Sequence, residues 1–298
     1  MSRLAAFIPA VKTLDESVAR ARTAERLGYE SVWTTQLPPA RDAALVLAAY
    51  ATHTERIKLG TGVLPIYTRH PTAMAQMAAT LDELSGGRFI LGIGVSHKVT
   101  VEGMWGLHLE SPVDAMREYL TIVRSILRDG QVAFEGKHFT ARAAYSGPRR
   151  ADLPIMISAL NPRMLELAGE LADGVVLYMC PPPYIRDEVI PAVRVGREKA
   201  GKTMEGFEVG AAIDCCATDD RNAALEIYKN TLDRYASLPF YRRAMEAGHF
   251  SADQLAAIGD ASQVRAAVAR YRESGVTLPT IGPFGGRFEA TLEAAIEA

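Results

Sequence analysis

Polar side chains that can do chemistry stand just after two predicted strands of the chain. Gln36 follows Thr35 at the end of one strand, and Val95, Ser96 and His97 follow another. A histidine at a strand end can polarise a substrate carbonyl or exchange a proton near neutral pH. A glutamine donates and accepts hydrogen bonds but does not titrate. We therefore predict a site role for His97, with a solvated loop histidine as the alternative, and an orienting role for Gln36.

A third segment, Ser158-Ala159-Leu160-Asn161, leads into a predicted helix that opens at Pro162. Asparagine is a favourable helix cap, and proline suits the first helical position because its missing N–H costs nothing there. A helix N-terminus offers free N–H groups and a partial positive charge, which stabilise an anion. The segment is therefore predicted to bind an anion, and Asn161 caps the helix whether or not an anion is bound.

The stretch from Ile57 to Gly94 must position these groups, and its pattern is strand, loop, helix, strand. Pro71 opens the helix and Ser85 ends it. Its apolar residues recur at helical spacing, which predicts a buried face. That face comprises Met74, Met77, Ala78, Leu81 and Leu84. A strand, a helix and a strand of this length form a right-handed βαβ unit, so ligands are expected at the carboxyl ends of its strands.

About eight strand–helix alternations cover the 298 residues without a linker or a change in composition. This count favours a (β/α)8 TIM barrel, one α/β domain over residues 1–298 with insertions near 130–150 and 237–259. The alternative is an open, doubly wound sheet. Against it, Gly92-Ile93-Gly94 lacks the third glycine of a dinucleotide-binding turn. Asp42 is predicted to cap the helix after the second strand, with Leu45, Ala48 and Ala49 on its buried face.

Composition excludes several classes of function. The formal net charge of −2 gives no electrostatic case for binding nucleic acid. Three cysteines, two of them adjacent, form neither a CxxC motif nor a disulfide framework. The histidines have no partners at the spacing of metal ligands, so we predict no metal site. No stretch approaches the length of a membrane span, and no signal peptide is indicated, so a cytoplasmic protein is expected.

Three stretches together carry a family resemblance. LGYESVW (27–33), ERIKLGTGVLPIYTRHP (55–71) and ATLDELSGGRFILGIGVSHK (79–98) are similar to the bacterial luciferase-like flavin and deazaflavin oxidoreductases. Within that superfamily, the middle stretch most resembles the coenzyme F420-dependent branch, which includes methylenetetrahydromethanopterin reductase and F420-dependent glucose-6-phosphate dehydrogenase. The resemblance implies a barrel with F420 across its strand ends. It also implies hydride transfer between C5 of the deazaflavin and a small organic substrate.

The resemblance also assigns residues to the cofactor. It implies a cis peptide bond between Gly62 and Val63 that supports one face of the ring, the alternative being a glycine turn with a trans bond. It places the cofactor phosphate at the helix start after Ser158. In related enzymes an Asp-His pair often stands where Thr35 and Gln36 stand here, which puts acid–base chemistry at that position in doubt. The implied contacts are Thr35, Gly62, Val63, Val95, Ser96, His97, Ser158, Ala159, Leu160 and Asn161.

Other side chains near the strand ends have two interpretations each. Lys98 pairs with the anionic cofactor or is solvated, and Arg69 binds an acidic tail or orders its own loop through a carboxylate. Tyr178 and Cys180 are expected to face the pocket mouth.

Two other functions remain open. One is an FMN-dependent luciferase-like monooxygenase, and the other is a barrel that binds F420 or flavin without catalysis. A homodimer formed through the helices beside strands 2 to 4 is expected from the family.

Overall fold

The computed structural model describes residues 3–249 and 254–296. Within these residues eight parallel strands close into a barrel, as predicted. Their order is β1, β2, β3, β5, β8, β9, β10 and β12, and β12 pairs with β1 to complete the ring. The strands are β1 Ala5–Phe7, β2 Ser31–Thr34, β3 Lys58–Thr61, β4 Leu64–Pro65, β5 Phe89–Gly94, β6 Gln131–Glu135, β7 Thr140–Ala144, β8 Ile155–Ser158, β9 Gly174–Leu177, β10 Glu208–Ala217, β11 Ala257–Gly259 and β12 Leu278–Pro283.

Helices surround the barrel and begin where the sequence places their caps. The side chains of Thr13, Asp42 and Asn161 each accept a hydrogen bond from a backbone N–H of the helix that follows. Pro71 and Pro162 occupy first-turn positions, as expected. The helices are α1 Leu14–Arg26, α2 Ala43–His53, α3 Pro71–Leu84, α4 Pro112–Asp129, α5 Pro162–Leu171, α6 Pro182–Tyr184, α7 Ile190–Lys199, α8 Arg221–Ala236, α9 Pro239–Ala247, α10 Ala261–Glu273 and α11 Phe288–Ala295.

The predicted buried faces of two helices were wrong in part. Leu45 is 72% exposed on α2, whereas Leu47 and Tyr50 of the same helix are fully buried. Helix α2 is apolar almost all round, so its periodicity cannot select one face. On α3, Met74 and Leu81 are buried as predicted, but Leu84 at the last position is exposed because the helix ends there.

Both intervals in which insertions are expected contain elements outside the barrel. Strands β6 and β7 form an antiparallel hairpin between α4 and β8. The second interval, 237–259, holds α9 and the short strand β11, which pairs with the outer part of β10. Residues 250–253 of that interval lie outside the described residues.

The lumen of the barrel is filled below its carboxyl end. Trp33 of β2 is buried against Ala5, Met156 and Leu278, which come from three other strands. A Cβ at Gly60 would lie 2.5 Å from the Trp33 ring, so the neighbouring strand requires glycine there. The indole ring thus forms the bottom of the cavity that is described below.

Candidate active site

A cavity of about 1260 Å³ opens at the carboxyl ends of the barrel strands. The structure brings all the predicted site residues to its wall, although they come from four different strand ends. They are Thr35, Gln36, Gly62, Val63, Val95, Ser96, His97, Ser158, Ala159, Leu160 and Asn161. Their convergence follows from the parallel barrel, which places the ends of β2, β3, β5 and β8 side by side.

The connection between β3 and β4 forms one side of the cavity. The peptide bond between Gly62 and Val63 is cis, as the family resemblance implied. The Gly62 N–H donates to the Thr34 carbonyl at 2.8 Å, which ties the connection to β2. The Val63 side chain lies over β5, where a Cβ on Gly94 would come within 2.8 Å of Val63 Cγ2. Glycine at position 94 therefore leaves room for Val63 in the cavity wall.

One of the two polar groups of the Gln36 side chain is hydrogen-bonded within the protein. Its Oε1 accepts a hydrogen bond from the Ala43 N–H at 2.9 Å, at the start of α2. The Nε2 group is the remaining polar end of the side chain. Gln36 can thus donate a hydrogen bond to a ligand in the cavity, but its carbonyl oxygen already serves a helix N-terminus.

His97 is partly buried and is not the solvated loop histidine of the alternative interpretation. Its ring lies 5.6 Å from the ring of Tyr241 on α9, and its carbonyl oxygen accepts from the Thr100 N–H. Burial lowers the pKa of the His97 imidazole, which favours the neutral ring at pH 7. The neighbouring Lys98 instead forms an ion pair with Glu102 at 3.6 Å.

The burial of the His97 imidazole predicts how the free energy of unfolding depends on pH. Because the pKa of His97 is lowered in the fold, the unfolded chain binds a proton more readily below about pH 6.5. The contribution of His97 to stability is present above that pH and is lost as the pH falls through the lowered pKa. We expect the urea-unfolding free energy of the wild type to fall more steeply from pH 7.5 to 5 than that of His97→Gln. Parallel curves for the two proteins would contradict the assignment.

The loop from Ser158 to Asn161 holds the start of α5 at the cavity. Asn161 Oδ1 accepts from the Met164 N–H at 3.0 Å, and the Leu160 carbonyl accepts from the Tyr184 hydroxyl at 2.8 Å. Both contacts fix the loop from the protein side. The backbone of this loop and the first turn of α5 therefore line the cavity in a fixed position.

The structure adds a carboxylate that sequence reasoning missed. Asp214 lines the cavity from β10, together with Gly210 and Ala212 of the same strand. The Tyr178 hydroxyl donates to Asp214 Oδ2 at 3.0 Å, and the Tyr228 hydroxyl donates to the same oxygen at 2.9 Å. Burial raises the pKa of Asp214 to about 6 against the lowering effect of the two hydroxyls. Residues 210, 212 and 214 alternate along the strand, and this period of two was the signal available in the sequence.

Tyrosine rings close the outer wall. Tyr178 and Tyr235 meet edge to face at 4.8 Å, and Tyr235 and Tyr241 do so at 5.0 Å. Tyr178 lines the cavity as predicted, but Cys180 is buried away from it. Arg69 pairs with Asp42, the cap of α2, so it orders its own loop.

No group of three or more metal-ligating side chains occurs among the described residues. Within the same residues, no helix is both long and apolar enough to cross a membrane.

The family model of the luciferase-like monooxygenases matches residues 2–278. The chain belongs to this family. The luciferase-like chain is 35% identical to 5,10-methylenetetrahydromethanopterin reductase of Methanolobus tindarius over 204 residues, which are 68% of this chain and 61% of that protein. It is 36% identical over 228 residues to a protein of Mycobacterium tuberculosis named as a candidate coenzyme F420-dependent oxidoreductase, with 71% of this chain and 65% of that protein covered.

The chain thus spans less than two thirds of the length of these curated relatives. A solved structure, the coenzyme F420-dependent tetrahydromethanopterin reductase of Methanopyrus kandleri, has the same fold. Its TM-score is 0.83 at 24% identity, over 98% of this chain and 96% of the other. The luciferase-like barrel is therefore shared over almost the whole chain.

Proposed function

We propose that this luciferase-like enzyme is a coenzyme F420-dependent oxidoreductase that transfers a hydride between C5 of the deazaflavin and a small organic substrate. The observation that carries the proposal is the convergence of all eleven predicted site residues on one cavity. Two of the relatives reported above are named for F420. The sequence motifs that resemble the F420 branch supply residues of the same cavity wall, from Gly62 to His97.

The residues present fit a flat ring with a phosphate-bearing tail. Glycines 62, 210 and 282 line the cavity from three separate parts of the barrel wall and leave space where side chains would stand. The volume of about 1260 Å³ exceeds the usual range for one small ligand and accommodates a cofactor together with a substrate. The start of α5 brings a partial positive charge to the phosphate.

When bound, the deazaflavin supplies a two-electron hydride exchange at C5, and the protein supplies position and electrostatics. We assign the face of the ring to Gly62 and Val63 and the phosphate to the segment from Ser158 to Asn161. Gln36 would donate a hydrogen bond through Nε2, while neutral His97 offers a polar contact at the mouth. The tyrosine wall excludes water from the reacting atoms.

Titration of the purified protein with F420 and with FMN tests the proposal. We expect F420 fluorescence to be quenched at micromolar concentration and FMN to bind more weakly. Tighter binding of FMN, with oxygen consumed when reduced FMN is supplied, would favour the monooxygenase function that the family description names. Tight F420 binding without redox exchange with any tested carbonyl compound or alcohol would favour a non-catalytic barrel.

The cap of α5 gives a prediction that separates binding from stability. Replacing Asn161 by alanine removes the hydrogen bond to the Met164 N–H and should cost about 1 kcal/mol of unfolding free energy. F420 affinity should fall as well, because the helix start would lose its fixed position at the phosphate. Asp220→Ala is the matched control, since Asp220 caps α8 through the same kind of bond without lining the cavity. Equal F420 affinity in both variants would contradict the phosphate assignment.

We also propose a homodimer formed through the helices beside β2 to β5. Leu45 projects from α2 with 72% of its surface exposed, on a helix that is apolar almost all round. Leu45 would lie within the covered surface, and Leu84 at the end of α3 is exposed as well. Sedimentation velocity measures this directly.

A further inference from the structure

Asp214 stands where a side chain can exchange a proton with a ligand. It lies near the carboxyl end of β10 and points to the same side as Gly210 and Ala212, into the cavity. The Tyr178 and Tyr228 hydroxyls both donate to Oδ2, at 3.0 and 2.9 Å. Among the described residues no hydrogen bond reaches Oδ1. That oxygen lies near Gly282 of β12, where a Cβ would come within 3.0 Å of it.

Among the residues that the structure describes, no lysine, arginine or histidine pairs with Asp214. None of the ion pairs within residues 3–249 and 254–296 includes this carboxylate. The titratable groups around it are the phenols of Tyr178, Tyr228, Tyr235 and Tyr271 and the thiol of Cys215. Burial raises its pKa to about 6, so both protonation states are populated near neutral pH.

A purely structural role does not require an acid at this position. The carbonyl oxygen of an asparagine would accept both tyrosine hydrogen bonds without a buried charge, and burying an unpaired charge is costly. The two residues for which a catalytic role was predicted are less suited to give a proton. Gln36 does not titrate, and burial keeps His97 in the neutral form at pH 7.

We propose that Asp214 exchanges the proton of the reaction with a substrate whose carbonyl or imine group is reduced to an alcohol or amine. The inference rests on the proposed function. In the reductive direction the carbon of the C=O or C=N bond takes up the hydride from the reduced deazaflavin. The π electrons move to the oxygen or nitrogen, which forms a new bond to the proton of Asp214 Oδ1. Tyr178 and Tyr228 then hold the remaining carboxylate through Oδ2, and oxidation of an alcohol or amine runs through the same steps in reverse.

The two tyrosines are positioning residues in this scheme. Each donates a hydrogen bond that favours the carboxylate, so the loss of either hydroxyl should raise the pKa of Asp214. Tyr178 lines the cavity, whereas Tyr228 on α8 donates to Asp214 without lining the cavity. If Tyr178 itself gave the proton, Tyr178→Phe would abolish reduction while Tyr228→Phe would not. If Asp214 gives it, both variants should remain active and shift the pH dependence in the same direction.

The first experiment uses the protein without cofactor. In protein labelled with ¹³C at the aspartate carboxyl carbon, NMR titration should show one resonance with a midpoint between pH 5 and 7. That resonance should be absent in Asp214→Asn and should move to higher pH in Tyr178→Phe and in Tyr228→Phe. A carboxyl at position 214 that titrates below pH 5 would overturn the proposal.

The second experiment uses the F420-loaded protein, with benzaldehyde as the carbonyl probe and oxidation of reduced F420 as the signal. We expect Asp214→Asn to reduce kcat about a hundredfold and to lose the decline in rate that the wild type shows as the pH rises through about 6. F420 affinity should stay within about threefold of the wild type, with an unchanged circular dichroism spectrum. If Asp214→Asn does not fold, the upward shift of the pH profile in both tyrosine variants decides the question.

The proposal is overturned if kcat of Asp214→Asn depends on pH as in the wild type, or if the pH profile of kcat is unshifted in both tyrosine variants. Either result would show that the hydrogen bonds of Tyr178 and Tyr228 to Asp214 are only structural. If the wild-type protein does not quench the fluorescence of F420, the proposed function itself is refuted. That result is seen before any variant is compared, so the two failures are distinguishable.

Discussion

Replacing Gly94 by valine is expected to weaken F420 binding at least about a hundredfold while the protein stays folded. Gly94 is the last residue of β5, and a Cβ there would lie 2.8 Å from Val63 Cγ2 and 3.2 Å from Ser158 Cβ. Neither neighbour has a long side chain that can swing away, so Val63 must move into the cavity. It would then occupy the space that we assign to the ring.

Fluorescence quenching of F420 measures the loss, and thermal unfolding shows whether the barrel survives. Ala151→Val is the control, because Ala151 is exposed and does not line the cavity. It adds aliphatic bulk outside the cavity and should keep F420 affinity within about threefold of the wild type. Wild-type affinity in Gly94→Val would place the ring elsewhere in the cavity. Gly94→Ala should give an intermediate loss.

Replacing Arg150 by glutamine is expected to lower the free energy of unfolding by about 3 kcal/mol, because it leaves a buried carboxylate without its partner. Arg150 Nε and Nη2 donate to the two carboxylate oxygens of Asp82 at 2.9 and 2.7 Å. The Asp82 side chain is only 8% exposed, against 31% for Arg150. Arg150 also donates to the Phe89 carbonyl at 3.3 Å, so the pair joins α3, β5 and the segment before β8.

Urea unfolding measures this loss, with Arg142→Gln as the control. Arg142 pairs with Glu135 on the hairpin at 3.3 Å, but both side chains are 76% exposed, and such pairs contribute little. The double variant Arg150→Gln with Asp82→Asn should recover part of the lost stability, since the uncompensated charge is then removed. A loss below about 1 kcal/mol in Arg150→Gln would mean that water reaches the Asp82 carboxylate.

The parts of this molecule that local chemistry determines could be predicted from the sequence. Asp42 and Asn161 cap the helices for which they were proposed, and Pro71 starts α3. The site residues were found because parallel strands bring their carboxyl ends together, so a polar residue after each strand is a candidate whatever its distance along the chain. His97 and Gln36 reached the cavity wall for this reason.

What could not be predicted depends on register and on packing between distant segments. Tyr178 meets Asp214 only because β9 and β10 pair with Val175 opposite Val209 and Leu177 opposite Ala211. Nothing local in the sequence determines that register. Leu45 was misplaced for a different reason, since an almost uniformly apolar helix has no preferred face until its neighbours are known.

The indole of Trp33 has a kinetic consequence. Because the described residues fill the barrel below the cavity, the cofactor and the substrate that we propose would both enter from the carboxyl end of the strands. The ligand that binds deeper in the cavity would have to bind first and dissociate last, so we expect an ordered kinetic mechanism. An excess of the ligand that normally binds second would then bind the free enzyme first and inhibit turnover.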